Sequence, residues 1–275
     1  MDFDTLVQDN YQKLTKSEKK VAKFITDNKK TVIYGTMETI KGRIDVGDAT
    51  IVRFSKKLGF SGFNDLKIVL AKAEIEEKNN DATDSAHEYY DDIEDTLITT
   101  LKDTNSLIDK DTVDAAVKLI SSARTLYIFG VGHSGEISKT FSKMLLRFGL
   151  IVQAETDPHF QAQMASIMTK DDLVIGISLS GETKDTYDSL TLAKKNGAKI
   201  ISITNSSLSA IAQISDITLQ TSIEEFLNGG SLAGQLSQLY LCEVLLRGYE
   251  RQNNIDVLAI REKGLRSIMD KKIKD

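Results

Sequence analysis

Residues 125–149 read TLYIFGVGHSGEISKTFSKMLLRFG. The stretch opens on a short β-branched and aromatic run, breaks at Gly130-Val131-Gly132-His133-Ser134-Gly135, and continues as an amphipathic segment long enough for several helical turns. Strand, glycine turn and helix follow one another within 25 residues. The alternation then repeats: LIVQAE (150–155), FQAQMASIM (160–168), DLVIGISLS (172–180), ETKDTYDSLTLAKKNG (182–197), AKIISIT (198–204), SLSAIAQIS (207–215) and DITLQT (216–221). Short apolar strands separated by helices predict a parallel sheet covered on both faces, a three-layer α/β domain. Right-handed crossovers place every strand C-terminus, and with them any ligand, along one edge.

Working toward the N-terminus, the pattern changes. Thr15-Lys16-Ser17-Glu18 has the form of a capping box, and Val21, Phe24 and Ile25 recur at helical spacing, so one helix is expected up to about Asn28. A second follows Lys30, a third opens at Thr36, and a fourth opens at Gly47-Asp48. The first seventy residues show no convincing strand and predict an all-α bundle. Beyond Ala73 the text AEIEEKNNDATDSAHEYYDD is polar and charged, as linkers are. Helices over 91–107 and 111–121 then lead into the α/β part. The expected organisation is a helical domain over 1–77, a linker and connecting helix over 78–108, and the α/β domain over 109–275.

The bulk numbers agree with two soluble domains. Of the 275 residues 41% are apolar and 27% charged, an ordinary globular balance. No run reaches the roughly 18 consecutive apolar residues of a membrane span, and MDFDTLVQDN lacks the basic-then-apolar order of a secretory signal. The cytoplasm is the expected compartment, with no membrane partner. Cys242, the single cysteine, lies in LYLCEVLL and reads as a core residue. His87, His133 and His159 have no metal-ligand spacing, so neither a metal nor a cofactor is expected. Up to Ala73 the chain holds 14 Lys and Arg against 9 Asp and Glu, a balance of +5; the whole carries −5, so the remainder carries −10. A basic end on an acidic body suits a nucleic-acid partner for the first part alone.

TMETIKGRIDVGDATIVRFSKKLGF (36–60) reads as helix, tight turn, helix. On its second helix Thr50, Arg53 and Lys57 fall at i, i+3 and i+7, while Ala49, Val52, Ser55 and Leu58 are expected to face the bundle. Arginine matches a guanine edge, and lysine and hydroxyl groups fix register on phosphates, so Thr50, Arg53, Lys56 and Lys57 are the candidate DNA-binding residues, with Lys41 as a flanking contact. The same pattern also fits a merely solvated helix face. LTKSEKKVAKFI, TMETI and VGDATIVRFSKKLGFSGFNDLKIVLA together resemble the N-terminal domain of the RpiR family of transcription regulators. Asp45, Gly47 and Lys41-Gly42 depart from the usual residues of that turn.

Two loops after predicted strands carry the other signal. Gly132, His133 and Ser134 open a helix, and so does Ser178-Leu179-Ser180-Gly181-Glu182-Thr183. Amides at a helix start, with hydroxyls around a glycine, can bind an anion; Ser180 and Thr183 can equally just cap the helix. The pair of loops resembles the SIS, or sugar isomerase, domain, which follows the helical module in RpiR regulators. The resemblance implies a sugar-phosphate effector, with Ser134, Ser178, Ser180 and Thr183 on the phosphate beside the backbone of Gly132 and Gly181. His133, Asp157, His159 and Glu225 are then candidates for the sugar hydroxyls. Gly234-Gln235 stand where the family often has a serine-arginine pair.

The expected protein is a non-enzymatic regulator of carbohydrate-metabolism genes that binds double-stranded operator DNA as a homodimer or dimer of dimers. Two other readings compete with it. An isomerase needs a base, for which Glu182, Glu224, Glu225, His133 and His159 are available. An NADH-sensing repressor would use GVGHSG with Glu155 on a ribose, leaving the serine-rich loop without a role.

Overall fold

The computed structural model describes residues 3–81, 88–223, 231–267 and 269. They fall into two compact units, the first over the N-terminal 93 residues and the second beginning at Glu94.

Among the described residues the first unit's regular elements are helices: α1 (Phe3–Asn10), α2 (Lys16–Asp27), α3 (Lys29–Tyr34), α4 (Met37–Lys41), α5 (Asp48–Lys57) and α6 (Phe63–Asp81). The start of α2 is a capping box, in which the Glu18 amide donates to Thr15 Oγ1 at 3.3 Å and the Thr15 amide donates to the Glu18 carboxylate at 2.8 Å. Thr36 and Thr39 close the same reciprocal pair at α4. Val21, Ile25, Ile33, Ile40, Ile51, Phe54 and Leu66 form the core. Helix α1 was not foreseen; it buries Phe3 and Val7 and sets the Phe3 ring edge-on to Phe54 at 6.5 Å. On α5 the inward face also needs correction. Ile51, Phe54, Ser55 and Leu58 are buried, Ala49 is exposed and Val52 half-buried, because the larger side chains offer more apolar area to the core. Helix α6 runs through Ala73, so the polar stretch begins as helix.

Helix α7 (Tyr89–Ser106) is followed by α8 (Lys110–Ser122), β1 (Thr125–Phe129), α9 (His133–Leu146), β2 (Gln153–Glu155), α10 (Pro158–Ile167) and β3 (Asp172–Ile177). Then come α11 (Lys184–Lys195), β4 (Lys199–Thr204), α12 (Ala210–Ile214), β5 (Ile217–Gln220), α13 (Leu232–Gln252) and α14 (Val257–Arg266). All five strands pair in parallel in the order β2-β1-β3-β4-β5. Alternate residues leave the sheet on opposite sides. Leu126, Ile128, Leu173, Ile175, Ile201 and Ile203 pack under α8, α9 and α13, and Tyr127, Phe129, Val174 and Ile200 pack under α10, α11 and α12. Burial on both faces explains why these strands read as continuous apolar runs. The run from Leu150 yields a strand only over 153–155, since β2 is an edge strand and Ile151 is 86% exposed. Cys242 is a core residue, and burial pushes its thiol pKa up, so it stays protonated. Among the described residues no helix is long and apolar enough to cross a membrane.

Candidate functional site

In the first unit, α4, the turn at 42–47 and α5 form the helix-turn-helix. Lys41 ties the two helices by pairing with Glu38 on its own helix at 2.5 Å and with Asp48 at the start of α5 at 3.1 Å. Gly47 occupies the N-cap of α5 without a side chain to cap it, and Asp48 supplies negative charge to the first turn. With Ile51, Phe54 and Leu58 buried, Arg53, Lys56 and Lys57 are left exposed and Thr50 half-exposed. Arg53 reaches the Thr50 hydroxyl at 3.5 Å, so the two share a face. Lys57 has a second commitment: its ammonium donates to the buried Glu18 carboxylate at 2.7 Å and to the Lys13 carbonyl at 3.2 Å. Burial alone would raise the Glu18 pKa, but Lys57 and the Thr15 amide and hydroxyl outweigh it and hold the carboxyl below its usual value.

In the second unit the two candidate loops follow the C-termini of β1 and β3. In the order β2-β1-β3-β4 the chain leaves β1 to one side and β3 to the other, the switch in direction at which open parallel sheets form a crevice between the loops that follow. After β1, Gly130 lies so close to α9 that a Cβ there would come within 2.6 Å of the Ser134 carbonyl oxygen. Gly132 then turns with φ +61, and α9 begins at His133 with no side-chain cap on its first amides. After β3, Gly181 adopts φ +67, and a Cβ there would meet Ser209 Oγ at 2.1 Å and Thr204 Oγ1 at 2.5 Å. Only glycine suits that conformation and that space. Ser178 Oγ accepts the Gly181 amide at 3.2 Å and lies 3.1 Å from Thr183 Oγ1; Ser180 Oγ accepts the Glu182 amide at 3.2 Å. Thr183 sits at the N-cap position of α11, yet its side chain makes no cap bond. The start of α11 is thus as open to an acceptor as that of α9.

Gly132, His133 and Ser134 lie at the start of α9 after β1, and Ser178, Ser180, Gly181 and Thr183 lie between β3 and the start of α11, after two strands that pair side by side. Asp157 serves its own helix, accepting the His159 and Phe160 amides at the N-cap of α10, and His159 is exposed. Glu155 accepts the amides of Thr156 and Asp157. Glu225 and Glu224 lie outside the described residues.

Two glutamines escaped the sequence reading. Gln238, buried on α13, donates from Nε2 to the Ser134 hydroxyl at 3.2 Å. Gln161, fully buried on α10, donates from one amide group to the carbonyls of Gly130 (3.1 Å) and Glu155 (2.9 Å), pinning the ends of β1 and β2. A glutamine inside an otherwise apolar run was the available signal for Gln238, since a buried amide must find partners.

Residues 1–77 match the model of the helix-turn-helix domain, rpiR family, and residues 119–247 match the SIS domain. The two units therefore define a transcription regulator that joins a helix-turn-helix to an α/β domain of sugar-isomerase type. An HTH-type transcriptional regulator of Clostridium perfringens is 36% identical over 242 residues, covering 85% of this chain and 86% of that protein. Another, of Haemophilus influenzae, is 30% identical over 275 residues, covering 96% and 95%. NanR of Vibrio vulnificus shares the fold with a TM-score of 0.88 at 23% identity, covering 99% of this chain and all of that one. The chain belongs to the RpiR family of HTH-type transcriptional regulators.

Proposed function

We propose that the chain regulates carbohydrate-metabolism genes in the cytoplasm, binding double-stranded operator DNA through α5 and a phosphorylated sugar through the crevice of its α/β domain. The observation that carries the effector half is the pair of helix starts, α9 and α11, that flank the crevice with hydroxyls at hand and no side-chain cap on their amides. A phosphate monoester supplies the missing acceptor oxygens and takes up the favourable end of both helix dipoles. Ser134, Ser178, Ser180 and Thr183 would hold it with the backbone of Gly132 and Gly181, leaving His133 for the sugar hydroxyls. NanR, whose fold the chain shares, was solved in complex with ManNAc-6P, which supports the same ligand class here.

Among the described residues, sensing is favoured over catalysis by what the acids near these loops already do. Glu182 accepts the Ala210 amide, Asp157 caps α10 and Glu155 accepts its own loop amides. An isomerase needs such a carboxylate turned toward a substrate carbon. On the DNA side Arg53 is the base-reading residue, with Thr50, Lys56 and Lys57 on phosphates. A homodimer or dimer of dimers, joined through the C-terminal domains, would present two recognition helices to successive half-sites. The effector then shifts DNA affinity by its differential affinity for the two arrangements.

A thermal-shift screen of hexose, pentose and amino-sugar phosphates against their unphosphorylated partners tests the effector. One phosphosugar should stabilise the wild type, by about 2.7 kcal/mol at one hundred times its Kd, and should fail to do so in Ser180→Ala. Stabilisation by NADH alone would overturn the assignment.

A further inference from the structure

Helix α7 begins in the first unit and ends in the second. Of its 18 residues only Thr100 and Thr104 are buried, while Ile93 and Ile98 are exposed. Helices are ordinarily held by a packed apolar face; α7 buries threonines instead, so directional hydrogen bonds carry its docking in the second unit. Thr104, fully buried, accepts the Ser222 amide on Oγ1 at 3.1 Å, and its neighbour Asn105 accepts the Tyr240 hydroxyl at 2.6 Å.

Each of these bonds leads to one of the two candidate loops. Asn205 grips Ile223, the residue after Ser222, as a strand partner would: its Nδ2 donates to the Ile223 carbonyl and its Oδ1 accepts the Ile223 amide, both at 2.9 Å. The Asn205 amide in turn donates to the Leu179 carbonyl at 2.8 Å, inside the 178–183 loop. Tyr240 stands two residues from Gln238 on α13, and Gln238 donates to Ser134 of the 130–134 loop at 3.2 Å. One chain of contacts from each loop thus ends on consecutive residues of α7. We propose that the last turn of α7 is the output of the effector site: a phosphate on the two loops tightens its docking, and undocking weakens effector binding. Resting on the phosphosugar assignment, this names the element through which occupancy is regulated. Ser134 accepts from Gln238, which leaves its own proton for a phosphate oxygen, and each bond in such a chain polarises the next. A ligand that orders both loops therefore orders α7, and linkage makes the effect reciprocal.

Hydrogen exchange of the full chain, with and without saturating inorganic phosphate at matched ionic strength, reads the docking directly. Amides of residues 101–106 should exchange severalfold more slowly with phosphate in the wild type, and Ser180→Ala should lose that response; this arm needs no variant at position 104. Thr104→Val should lower phosphate affinity up to about fivefold, the worth of one neutral hydrogen bond. Thr104→Ser, which keeps the hydroxyl, should restore it, and Thr99→Val, on an exposed side chain of the same helix, should leave it unchanged. Phosphate binding without slower exchange at 101–106, slower exchange that survives Ser180→Ala, or an affinity that does not distinguish Thr104→Val from Thr104→Ser and Thr99→Val overturns the relay alone. Failure of phosphate and of every phosphosugar in the panel to bind the wild type overturns the effector assignment with it.

Discussion

Gln238 of α13 donates a hydrogen bond to the Ser134 hydroxyl at the start of α9, 104 positions away in the chain. The bond fixes one of the hydroxyls at the crevice and links it to the long helix that packs against α8 and α9 on the same face of the sheet. A group that changes what Ser134 bonds to thereby acts on α13 directly.

Replacing Gln238 with leucine removes that donor while keeping roughly the volume. A neutral hydrogen bond contributes about 1 kcal/mol, so the affinity for the stabilising phosphosugar should fall roughly fivefold, as isothermal titration would show. Gln238→Glu should do worse, because its charge repels the phosphate. Unchanged affinity in both variants would separate Gln238 from the effector site.

Gly181 allows a second prediction. In Gly181→Ala the new methyl meets Ser209 and Thr204 and the backbone keeps φ +67, a strained combination for any L side chain. Urea unfolding should show a loss on the order of 1–3 kcal/mol, together with loss of phosphosugar stabilisation. Gly47→Ala, where nothing lies within 4 Å of the new Cβ, should change little by comparison.

Arg124 and Asp172 give a pH signature. Asp172 is buried at the start of β3; burial would raise its pKa, but the two-pronged Arg124 bond and the Thr169 amide and hydroxyl bring it below its ordinary value. A depressed folded pKa means stability that is present above the unfolded value, roughly pH 4, and lost as pH falls through the folded one. Arg124→Met leaves a buried carboxylate without its ion pair and should cost about 2 kcal/mol at pH 7. Melting temperatures of the two proteins should converge as pH falls below the unfolded value and through the depressed folded one, where the acid takes up its proton; a gap independent of pH would place the cost in lost packing.

Lys57 and Arg53 should separate stability from DNA reading. Lys57→Met strips the buried Glu18 of its cation and should lower the stability of the helical unit by about 1 kcal/mol, modest because Lys57 is partly solvated. Arg53→Ala, on an exposed side chain, should stay within about 0.5 kcal/mol while abolishing discrimination between operator and unrelated DNA in a gel-shift competition. Equal discrimination by Arg53→Ala would remove α5 from base reading.

Local signals in the chain set the element order. Thr15-Glu18 and Thr36 start helices through bonds that span three residues, and the alternation from Thr125 onward fixes a parallel sheet because each strand is short and apolar on both sides. The hydroxyl loops were legible for the same reason, since both lie within a few residues of a strand end. The limits of that local reading appear where a partner is distant. Ala49 and Val52 have the right spacing to face inward, yet the bulk of Ile51, Phe54 and Leu58 decided which side of α5 the core takes. Leu150-Ile151 read as strand, but only the edge pairing with β1 determined that β2 begins at Gln153.

What the sequence determined by itself was therefore the class of each segment and the chemistry of its loops, because caps, periodicity and glycine turns act over three or four residues. Only the tertiary structure decided that Lys57 neutralises Glu18, that Gln238 holds Ser134 and that Gln161 pins β1 to β2, pairs separated by 39, 104 and 31 or fewer positions. A buried polar group must be satisfied, but which of many distant donors or acceptors satisfies it depends on how the helices pack, and no short-range pattern encodes that choice.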